Sequence, residues 1–313
     1  MARIAALFPG QGSQKVGMGQ DLADRWPAAA AVFTNIDEGL EVGLSDLCWN
    51  GPEDELRLTT NTQPALLAHS IAAWRVLSEH GFAVEAAAGH SLGEYSAVVA
   101  AGGLEAVDAA RTVRERGRLM QLAVPVGEGA MAAVLGLDDE IVVDLCDKIT
   151  TDGGEAVVAA NFNSPGQVVI AGTAGAVERA IEACKESGAR RALSLPVSAP
   201  FHSPLMAPAR EGLEPTLNAL DFHDLVVPVY RNVDAEAVQI VNDVRDGLIR
   251  QVDAPVLWSQ TITRMLADGF DTFVEVGAGN VLCGLVKRID RSATSYPAGT
   301  VDGVEKVISE LVV

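Results

Sequence analysis

Strand-like and helix-like segments alternate along most of this chain, and their order constrains its fold more than any other feature. Ile4–Phe8, Ala83–Ala88 and Thr272–Val276 are short apolar runs typical of buried strands. The second and third runs are each followed by a glycine-containing turn and then by a helical segment. Strands that are joined in this way by helices indicate a mostly parallel sheet with both faces covered. We therefore predict an α/β fold.

The middle of the chain breaks this alternation. Its segments follow the order β-α-β-β-α-β, with strands at 131–135, 155–161, 167–171 and 191–196 and helices at 138–149 and 174–187. Asn163-Ser164-Pro165-Gly166, between the second and third of these strands, has the composition of a turn. Two strands joined by a hairpin do not fit a parallel sheet, and this order is that of a ferredoxin-like unit. We predict a ferredoxin-like small subdomain at residues 128–196, inserted in a large subdomain formed by residues 1–127 and 197–313.

Charge and cysteine content exclude several kinds of partner and site. The 313 residues include 42 acidic and 23 basic ones, and the net charge of −19 argues against nucleic acid and anionic membranes as partners. No apolar run approaches the roughly 18 residues of a membrane helix, and the first residues do not form a signal peptide, so we expect a cytoplasmic protein. The four cysteines are isolated, so neither a zinc site nor a disulfide framework is expected.

A glycine-rich loop, FPGQGSQKVG at residues 8–17, follows the first strand. A phosphate-binding Walker loop needs G-x-x-x-x-G-K-[ST], but here Gly17 is followed by Met18. A dinucleotide-binding loop needs G-x-G-x-x-G, and Lys15 stands where the third glycine is required. Both kinds of nucleotide loop are excluded by spacing, so this loop needs another role.

The strongest chemical signal is the G-x-S-x-G motif Gly89-His90-Ser91-Leu92-Gly93, which lies between a strand-like run and a helix. A serine on such a turn is held above the sheet, and the glycines let the backbone pack closely around it. The first N–H groups of the following helix, beginning with that of Leu92, can stabilise the oxyanion of a tetrahedral intermediate. We predict Ser91 as a nucleophile, and the alternative is a helix-capping serine in a glycine-rich turn.

A serine nucleophile needs a base, and the chain has five histidines. His202 lies just before Ser203 and Pro204, which are typical N-cap and first-turn residues of a helix. It therefore occupies a constrained turn from which its side chain can be aimed. The remaining histidines are expected to be structural, buried or at the surface: His90, His69, His80 and His223. The spacing alone leaves open whether His202 is the base.

One arginine stands apart from the others in the helical segment 104–123. Three arginines share a polar face of that helix: Arg111, Arg114 and Arg118. Arg116 instead lies on the apolar face, where a guanidinium keeps its charge and needs a partner. That partner is either an internal carboxylate, such as Glu94 or Glu275, or an anionic group of a substrate. The helical pattern leaves both possibilities open.

Eight motifs follow one another along nearly the whole chain. They are FPGQGSQ (8–14), TQPAL (62–66), GHSLGE (89–94), RGRLMQ (116–121), NFNSPGQVVIAG (161–172), FHS (201–203), QVDAPVLW (251–258) and VEVGAGN (274–280). This ordered set resembles the malonyl-CoA:acyl carrier protein transacylases and the wider family of acyltransferase domains in fatty acid and polyketide synthesis. The resemblance implies an α/β-hydrolase-like large subdomain with a ferredoxin-like insertion, in agreement with the pattern described above.

The resemblance also implies the catalytic residues. Ser91 would accept the acyl group, and His202 would be the general base. Gln251 would orient His202 through its main-chain carbonyl, so that a backbone group takes the place of an aspartate. The backbone N–H groups of Gln11 and Leu92 would form the oxyanion hole. No metal or cofactor is expected.

Substrate-binding residues follow from the same resemblance. Arg116 would pair with the free carboxylate of the malonyl group, and Phe201 is typical of malonyl-selective relatives because its ring would crowd a methyl group on the α-carbon. Three further residues would line the pocket: Asn161, Met120 and Gln63. The chain departs from many relatives at Ala278 and Asn280, where they have proline and lysine.

The implied reaction is ping-pong transfer of a malonyl group from coenzyme A to the pantetheine thiol of acyl carrier protein. A serine esterase and a module that only binds the carrier are the two alternatives. Carrier proteins are typically acidic, so a docking surface on this acidic chain has to be local. Three basic clusters are candidates, namely Arg111, Arg114 and Arg118; Lys185, Arg190 and Arg191; and Lys287 and Arg288.

Overall fold

The computed structural model describes residues 2–197 and 199–312 and contains two sheets. The strands are β1 (Ile4–Phe8), β2 (Ala86–Gly89), β3 (Gly129–Leu135), β4 (Val157–Ser164), β5 (Gln167–Thr173), β6 (Arg191–Ser194), β7 (Val229–Tyr230), β8 (Ala237–Val238), β9 (Thr272–Val276) and β10 (Thr294–Ala298). The helices are α1 (Gln20–Arg25), α2 (Pro27–Leu40), α3 (Leu44–Asn50), α4 (Glu53–Leu56), α5 (Thr59–Glu79), α6 (Gly93–Ala100), α7 (Ala106–Leu122), α8 (Asp139–Gly153), α9 (Ala174–Glu186), α10 (Ala207–Ala219), α11 (Val241–Arg250), α12 (Trp258–Ala267), α13 (Val281–Ile289) and α14 (Val301–Leu311), with a 3₁₀ turn at Pro204–Met206.

The larger sheet has the strand order β10-β9-β1-β2-β7-β8. All neighbouring pairs are parallel except β7 with β8, which is antiparallel. Because β1 lies between β2 and β9, the carboxyl ends of these three strands meet at one edge of the sheet. Separate apolar clusters cover the two faces of this sheet, which agrees with the near-continuous apolar sequence of β1 and β2. The predicted α/β fold with a mostly parallel sheet is confirmed.

The smaller sheet is antiparallel, with the strand order β4-β5-β3-β6. Helices α8 and α9 pack on one of its faces around an apolar core that includes Val142, Ile170 and Ile181. The element order from β3 to β6 is the predicted β-α-β-β-α-β, so the inserted ferredoxin-like unit is confirmed. All four strands lie within residues 128–196, which we keep as the proposed bounds of the subdomain. The outer limits of the large subdomain, residues 1 and 313, lie outside the described residues.

The edge strand β4 joins the smaller sheet to a loop of the large subdomain. The backbone N–H of Phe162 donates to the Val256 carbonyl, and the N–H of Val256 donates to the Ala160 carbonyl, each at 2.9 Å. The face of the smaller sheet that α8 and α9 leave uncovered carries Met131, and it packs against Phe201 of the large subdomain. A space between the subdomains is therefore walled by strands on one side and by the sheet-edge loops on the other.

Helix α5 begins at Thr59, where the N–H of Thr62 donates to the Leu58 carbonyl at 2.8 Å. The four cysteines are free and buried. Among residues 2–197 and 199–312, no helix is both long and apolar enough to cross a membrane.

Candidate active site

Ser91 lies on a strained turn between β2 and α6. Its φ of 53° is in the left-handed region, which non-glycine residues rarely adopt. The turn is tight because Gly93 packs against the end of β1, where a Cβ on Gly93 would lie 2.0 Å from the Phe8 carbonyl oxygen. The serine is therefore held at the edge where the carboxyl ends of the parallel strands meet.

The glycine-rich loop after β1 packs directly against this turn. A Cβ on Gly10 would lie 2.4 Å from the carbonyl oxygen of His90, so only glycine allows the loop to come this close. The next residue, Gln11, lines the same cavity as Ser91 and Leu92. The loop thus brings Gln11 to the wall of the cavity that holds Ser91, a role that needs no lysine and no third glycine.

His202 lies within hydrogen-bond distance of the serine. Its Nε2 is 2.7 Å from the Ser91 Oγ, and its φ of 59° is also left-handed. On the other side of the ring, Nδ1 is 2.9 Å from the Gln251 carbonyl oxygen and 3.2 Å from that of Ala254. Carbonyl oxygens only accept, so Nδ1 carries the proton and Nε2 presents its lone pair to the serine hydroxyl.

The imidazole of His202 is neutral over the physiological pH range. Burial and, second to it, the positive charge of Arg116 lower the pKa of His202 to about 3. Nε2 is therefore free to take a proton, and the backbone carbonyls of Gln251 and Ala254 fix the ring without adding a negative charge.

Arg116 is 1% exposed and is held by uncharged groups. Its Nη1 donates to the Gln63 Oε1 at 2.9 Å, and its Nη2 donates to the Gln251 Oε1 at 2.9 Å and to the Ser91 Oγ at 3.2 Å. Among residues 2–197 and 199–312, no carboxylate oxygen lies within 4.0 Å of its guanidinium nitrogens. The direct internal ion pair left open by the sequence is thus absent from the described part of the chain.

A cavity of about 190 Å³ brings most of the sequence-predicted residues together. It is lined by Ser91, His202, Arg116, Gln11, Leu92, Gln63, Met120, Asn161 and Phe201. Gln251 lies behind this lining, is fully buried, and contacts the site through Arg116 and His202. The cavity therefore joins a serine, a neutral histidine and a guanidinium, an arrangement suited to acyl transfer to and from the serine.

Several site residues have no clear signal in the sequence. The apolar wall of the cavity adds Met131, Val169, Leu195 and Val197, which read as ordinary core residues of a strand or its extension. His90 also lines the cavity, and its Nε2 lies 2.8 Å from the Oδ1 of Asn163 in the small subdomain. It therefore links the two subdomains, which agrees with the structural role expected for it, but it also forms part of the cavity wall.

Asn232 is the most consequential of these missed residues. Its Oδ1 accepts a hydrogen bond from the Ser91 N–H at 2.6 Å, and its Nδ2 donates to the Gly89 carbonyl at 2.7 Å. The side chain thus spans the strained turn, and the residue is fully buried. It follows the two-residue strand β7, and no motif in the sequence marks it.

The basic clusters differ in how their charges are used. Arg111 and Arg118 pair with acidic residues of their own helix, and Lys185 pairs with Glu182. Within the described ranges, no carboxylate oxygen lies within 4.0 Å of a second group of cations: Arg190, Arg191, Lys287 and Arg288. Arg191 and Gln167 both pair with Leu135, and Arg288 donates to the Gln167 side chain. These cations therefore gather at one end of the smaller sheet.

Known proteins resemble this chain over nearly its whole length. The family model for the acyl transferase domain matches residues 6–306. The malonyl CoA-acyl carrier protein transacylase of Bacillus subtilis (strain 168) is 49% identical over 311 residues, which cover 99% of this chain and 98% of that protein.

Solved structures share the same architecture. The malonyl CoA-acyl carrier protein transacylase of Coxiella burnetii has a TM-score of 0.97 at 39% identity and covers 100% of this chain and 98% of its own. A type II PKS acyl-carrier protein in complex with its malonyl-transacylase gives a TM-score of 0.96 at 44% identity, covering 98% of this chain and 99% of that one. The resemblance found in the sequence motifs is thus confirmed, and the chain belongs to the acyl transferase domain family and is an acyltransferase.

Proposed function

We propose that this acyltransferase moves a malonyl group from coenzyme A to the pantetheine thiol of an acyl carrier protein, through an ester on Ser91. The observation that carries the proposal is a serine–histidine pair at 2.7 Å beside a buried guanidinium with no carboxylate partner among the described residues. The relatives at 39–49% identity that are named malonyl CoA-acyl carrier protein transacylases support the same substrates. The cytoplasmic location stays a prediction.

The first half-reaction forms the seryl ester. The Ser91 Oγ attacks the thioester carbonyl while its proton passes to Nε2 of His202. The negative charge on the carbonyl oxygen faces the backbone N–H groups of Gln11 and Leu92. The C–S bond then breaks, and the coenzyme A sulfur leaves with the proton held by His202.

The second half-reaction reverses these steps with another thiol. The pantetheine thiol of the carrier gives its proton to Nε2 of His202 and attacks the seryl ester. The C–O bond to Ser91 breaks, the serine oxygen regains the proton, and the malonyl thioester of the carrier departs. In each half-reaction His202 takes up one proton and gives it back, so the proposed route needs no metal or redox group.

Arg116 selects the acyl group and affects the base. A guanidinium binds a carboxylate through two hydrogen bonds, and the Arg116 Nη2 lies 3.2 Å from the Ser91 Oγ, the atom that would carry the acyl group. The charge of Arg116 lowers the pKa of His202, so a bound malonyl carboxylate would cancel part of that effect. A bound malonyl group would thus make His202 more basic during the reaction.

The carrier is expected to dock on the cations at the end of the smaller sheet. Arg190, Arg191, Lys287 and Arg288 have no carboxylate within 4.0 Å in the described part of the chain, so their charges are available to an acidic partner. They flank the hairpin that carries Asn163, which faces the cavity. A local basic surface of this kind would offset the net charge of −19 during the encounter.

The covalent intermediate is the direct test. Incubation with malonyl-CoA followed by intact-protein mass spectrometry is expected to show one malonyl adduct, which Ser91→Ala abolishes. Ser96→Ala is the matched control, because its buried hydroxyl has no hydrogen-bond partner among the described residues and lies on α6, the helix that follows the turn. A malonyl adduct that persists in Ser91→Ala would contradict the assignment.

Acyl selectivity tests whether the Arg116 guanidinium binds the malonyl carboxylate. Arg116→Ala is expected to lose malonyl loading while acetyl loading is spared or increased, and Arg114→Ala on the opposite face of α7 should change neither. Equal loss of both acyl groups in Arg116→Ala would refute the carboxylate clamp. Rapid hydrolysis of the acyl group without any thiol acceptor would favour an esterase, and the absence of any adduct would favour a module that only binds the carrier.

A further inference from the structure

Glu94 lies behind the cavity and takes no part in the proton transfers described above. It is 1% exposed, and its Oε2 accepts hydrogen bonds from the Gln251 Nε2 at 2.8 Å and from the Asn232 backbone N–H at 2.9 Å. The Oε1 of the same Gln251 side chain accepts from the Arg116 Nη2 at 2.9 Å. One amide group therefore separates a buried carboxylate from a buried guanidinium.

The chemistry of its neighbours fixes the orientation of the Gln251 amide. A carboxylate only accepts hydrogen bonds and a guanidinium only donates them, so Nε2 has to face Glu94 and Oε1 has to face Arg116. The second hydrogen of Nε2 goes to the Ser91 carbonyl at 2.9 Å. With these bonds made, the amide cannot turn, and its dipole is aligned between the two charges.

We propose that Glu94 is the counter-charge of Arg116, held one amide away so that the guanidinium is balanced but stays open to an acyl carboxylate. The proposal rests on the function proposed above for Arg116. A buried guanidinium without compensation is costly, whereas a carboxylate in direct contact would occupy the donors that the substrate needs. Glu94 is thus a positioning residue, which acts through Gln251.

The other nearby charges are already engaged. Glu275 accepts a hydrogen bond from the Cys283 backbone N–H at 2.7 Å, at the start of α13. Arg231, the cation whose charge lowers the pKa of Glu94 against the larger effect of burial, pairs with Asp234 at 2.6 Å. Glu94 is therefore the buried carboxylate best placed to balance Arg116, and its charge supports the protonated state of Arg116, whose pKa burial lowers.

This arrangement makes the Glu94 charge act on Arg116 and on the substrate in opposite directions. Removal of the Glu94 charge takes away the stabilisation that this charge gives to the buried Arg116. It also removes a negative charge that repels the incoming malonyl carboxylate, which strengthens binding. A residue that only packed the core would weaken both when it is replaced.

The first measurement is a double-mutant cycle in urea unfolding that combines Glu94→Gln with Arg116→Met. Glutamine keeps an oxygen that can accept from Gln251 and Asn232, so only the charge is lost. The cycle is run at pH 8, because burial raises the pKa of Glu94 to about 7. Because burial disfavours the Glu94 charge, the midpoint shift of the single change is not the readout. The readout is the coupling: the midpoint change caused by Glu94→Gln is expected to be less favourable in the parent chain, which keeps Arg116, than in the Arg116→Met background.

The control for this cycle is Glu275→Gln, which removes another buried carboxylate that does not contact the site. Its effect should be the same with and without Arg116→Met. An equal effect of Glu94→Gln in both backgrounds would overturn the proposal, and this readout needs no substrate.

The second measurement compares acyl groups. In Glu94→Gln, the ratio of the KM for malonyl-CoA to that for acetyl-CoA should fall by about threefold to tenfold, as expected for one charge removed at this separation. An unchanged or increased ratio would overturn the proposal. If Arg116→Ala leaves malonyl selectivity intact, the proposed function fails instead, while the coupling in unfolding still reports on Glu94 and Arg116.

Discussion

Replacement of Asn232 by alanine tests whether the strained turn at Ser91 is held by a single side chain. Asn232 bonds both the N–H of Ser91 at 2.6 Å and the carbonyl of Gly89 at 2.7 Å, and it is fully buried. Alanine leaves both backbone groups without a partner and without access to water. Each such group costs about 1–3 kcal/mol, so Asn232→Ala is expected to lower the free energy of unfolding by about 2–6 kcal/mol.

The same change should slow acylation. The φ of 53° at Ser91 is strained by about 1–3 kcal/mol, and the surrounding bonds are what maintain it. If the turn relaxes, Ser91 moves away from His202, and the rate of the first half-reaction should fall by about tenfold to a hundredfold. Asn232→Asp keeps the acceptor for the Ser91 N–H but loses the donor to Gly89, so it is also expected to slow acylation.

Two assays together separate stability from catalysis. Urea unfolding gives the change in free energy, and rapid-mixing measurement of coenzyme A release from malonyl-CoA gives the acylation rate. Asn242→Ala, an exposed residue of α11, serves as the control and should change neither. An Asn232→Ala enzyme within about 1 kcal/mol of the parent in stability and equal in acylation rate would refute the reasoning.

Three further outcomes are expected. Burial lowers the pKa of His69 to about 4, so between that value and its usual 6.5 the unfolded chain binds more protons and stability falls as the pH falls. His69→Gln should therefore remove about 2 kcal/mol of the stability loss between pH 7 and pH 5 in urea unfolding, and an unchanged pH dependence would exclude His69 as its source. Phe201→Ala opens space beside the acyl chain, so the ratio of kcat/KM for methylmalonyl-CoA to that for malonyl-CoA should rise by about tenfold in competition assays. An unchanged ratio would show that another part of the cavity wall limits the size of the acyl group. Charge reversal in Arg190→Glu with Arg191→Glu should raise the KM for the carrier but not for malonyl-CoA, and an unchanged carrier KM would dismiss that surface.

The fold was predictable where local patterns are strong. β1 and β9 begin and end as predicted, because each is an apolar run with a glycine-rich loop close behind it. The hairpin of the small subdomain was visible from the composition of its turn. β7 and β8 have two residues each, too few to show any periodicity, so the antiparallel edge of the larger sheet could not be foreseen.

The candidate site was predictable only in part. The glycines around Ser91 mark a tight turn, and the periodicity of α7 places Arg116 inward. Nothing local shows that His202, 111 residues from Ser91, approaches it to 2.7 Å, since the ring is held by carbonyls of another distant segment, those of Gln251 and Ala254. Asn232 reads as an ordinary loop residue, because its partners are distant in sequence. Glu94 is one of the two carboxylates that the sequence offers to Arg116, but the Gln251 amide that separates them comes from a distant part of the chain.

The use of backbone carbonyls to orient His202 follows from the charge that the site has to accept. An aspartate on Nδ1 would raise the basicity of the imidazole, but it would place a second anion close to the malonyl carboxylate. At roughly 8 Å and an effective dielectric constant of about 20, that repulsion would cost about 2 kcal/mol of substrate binding. It would also compete with the substrate for Arg116. Neutral orienting groups keep the guanidinium available. Burial remains the main cause of the low pKa of His202, and a substrate carboxylate would offset only the smaller contribution of the Arg116 charge.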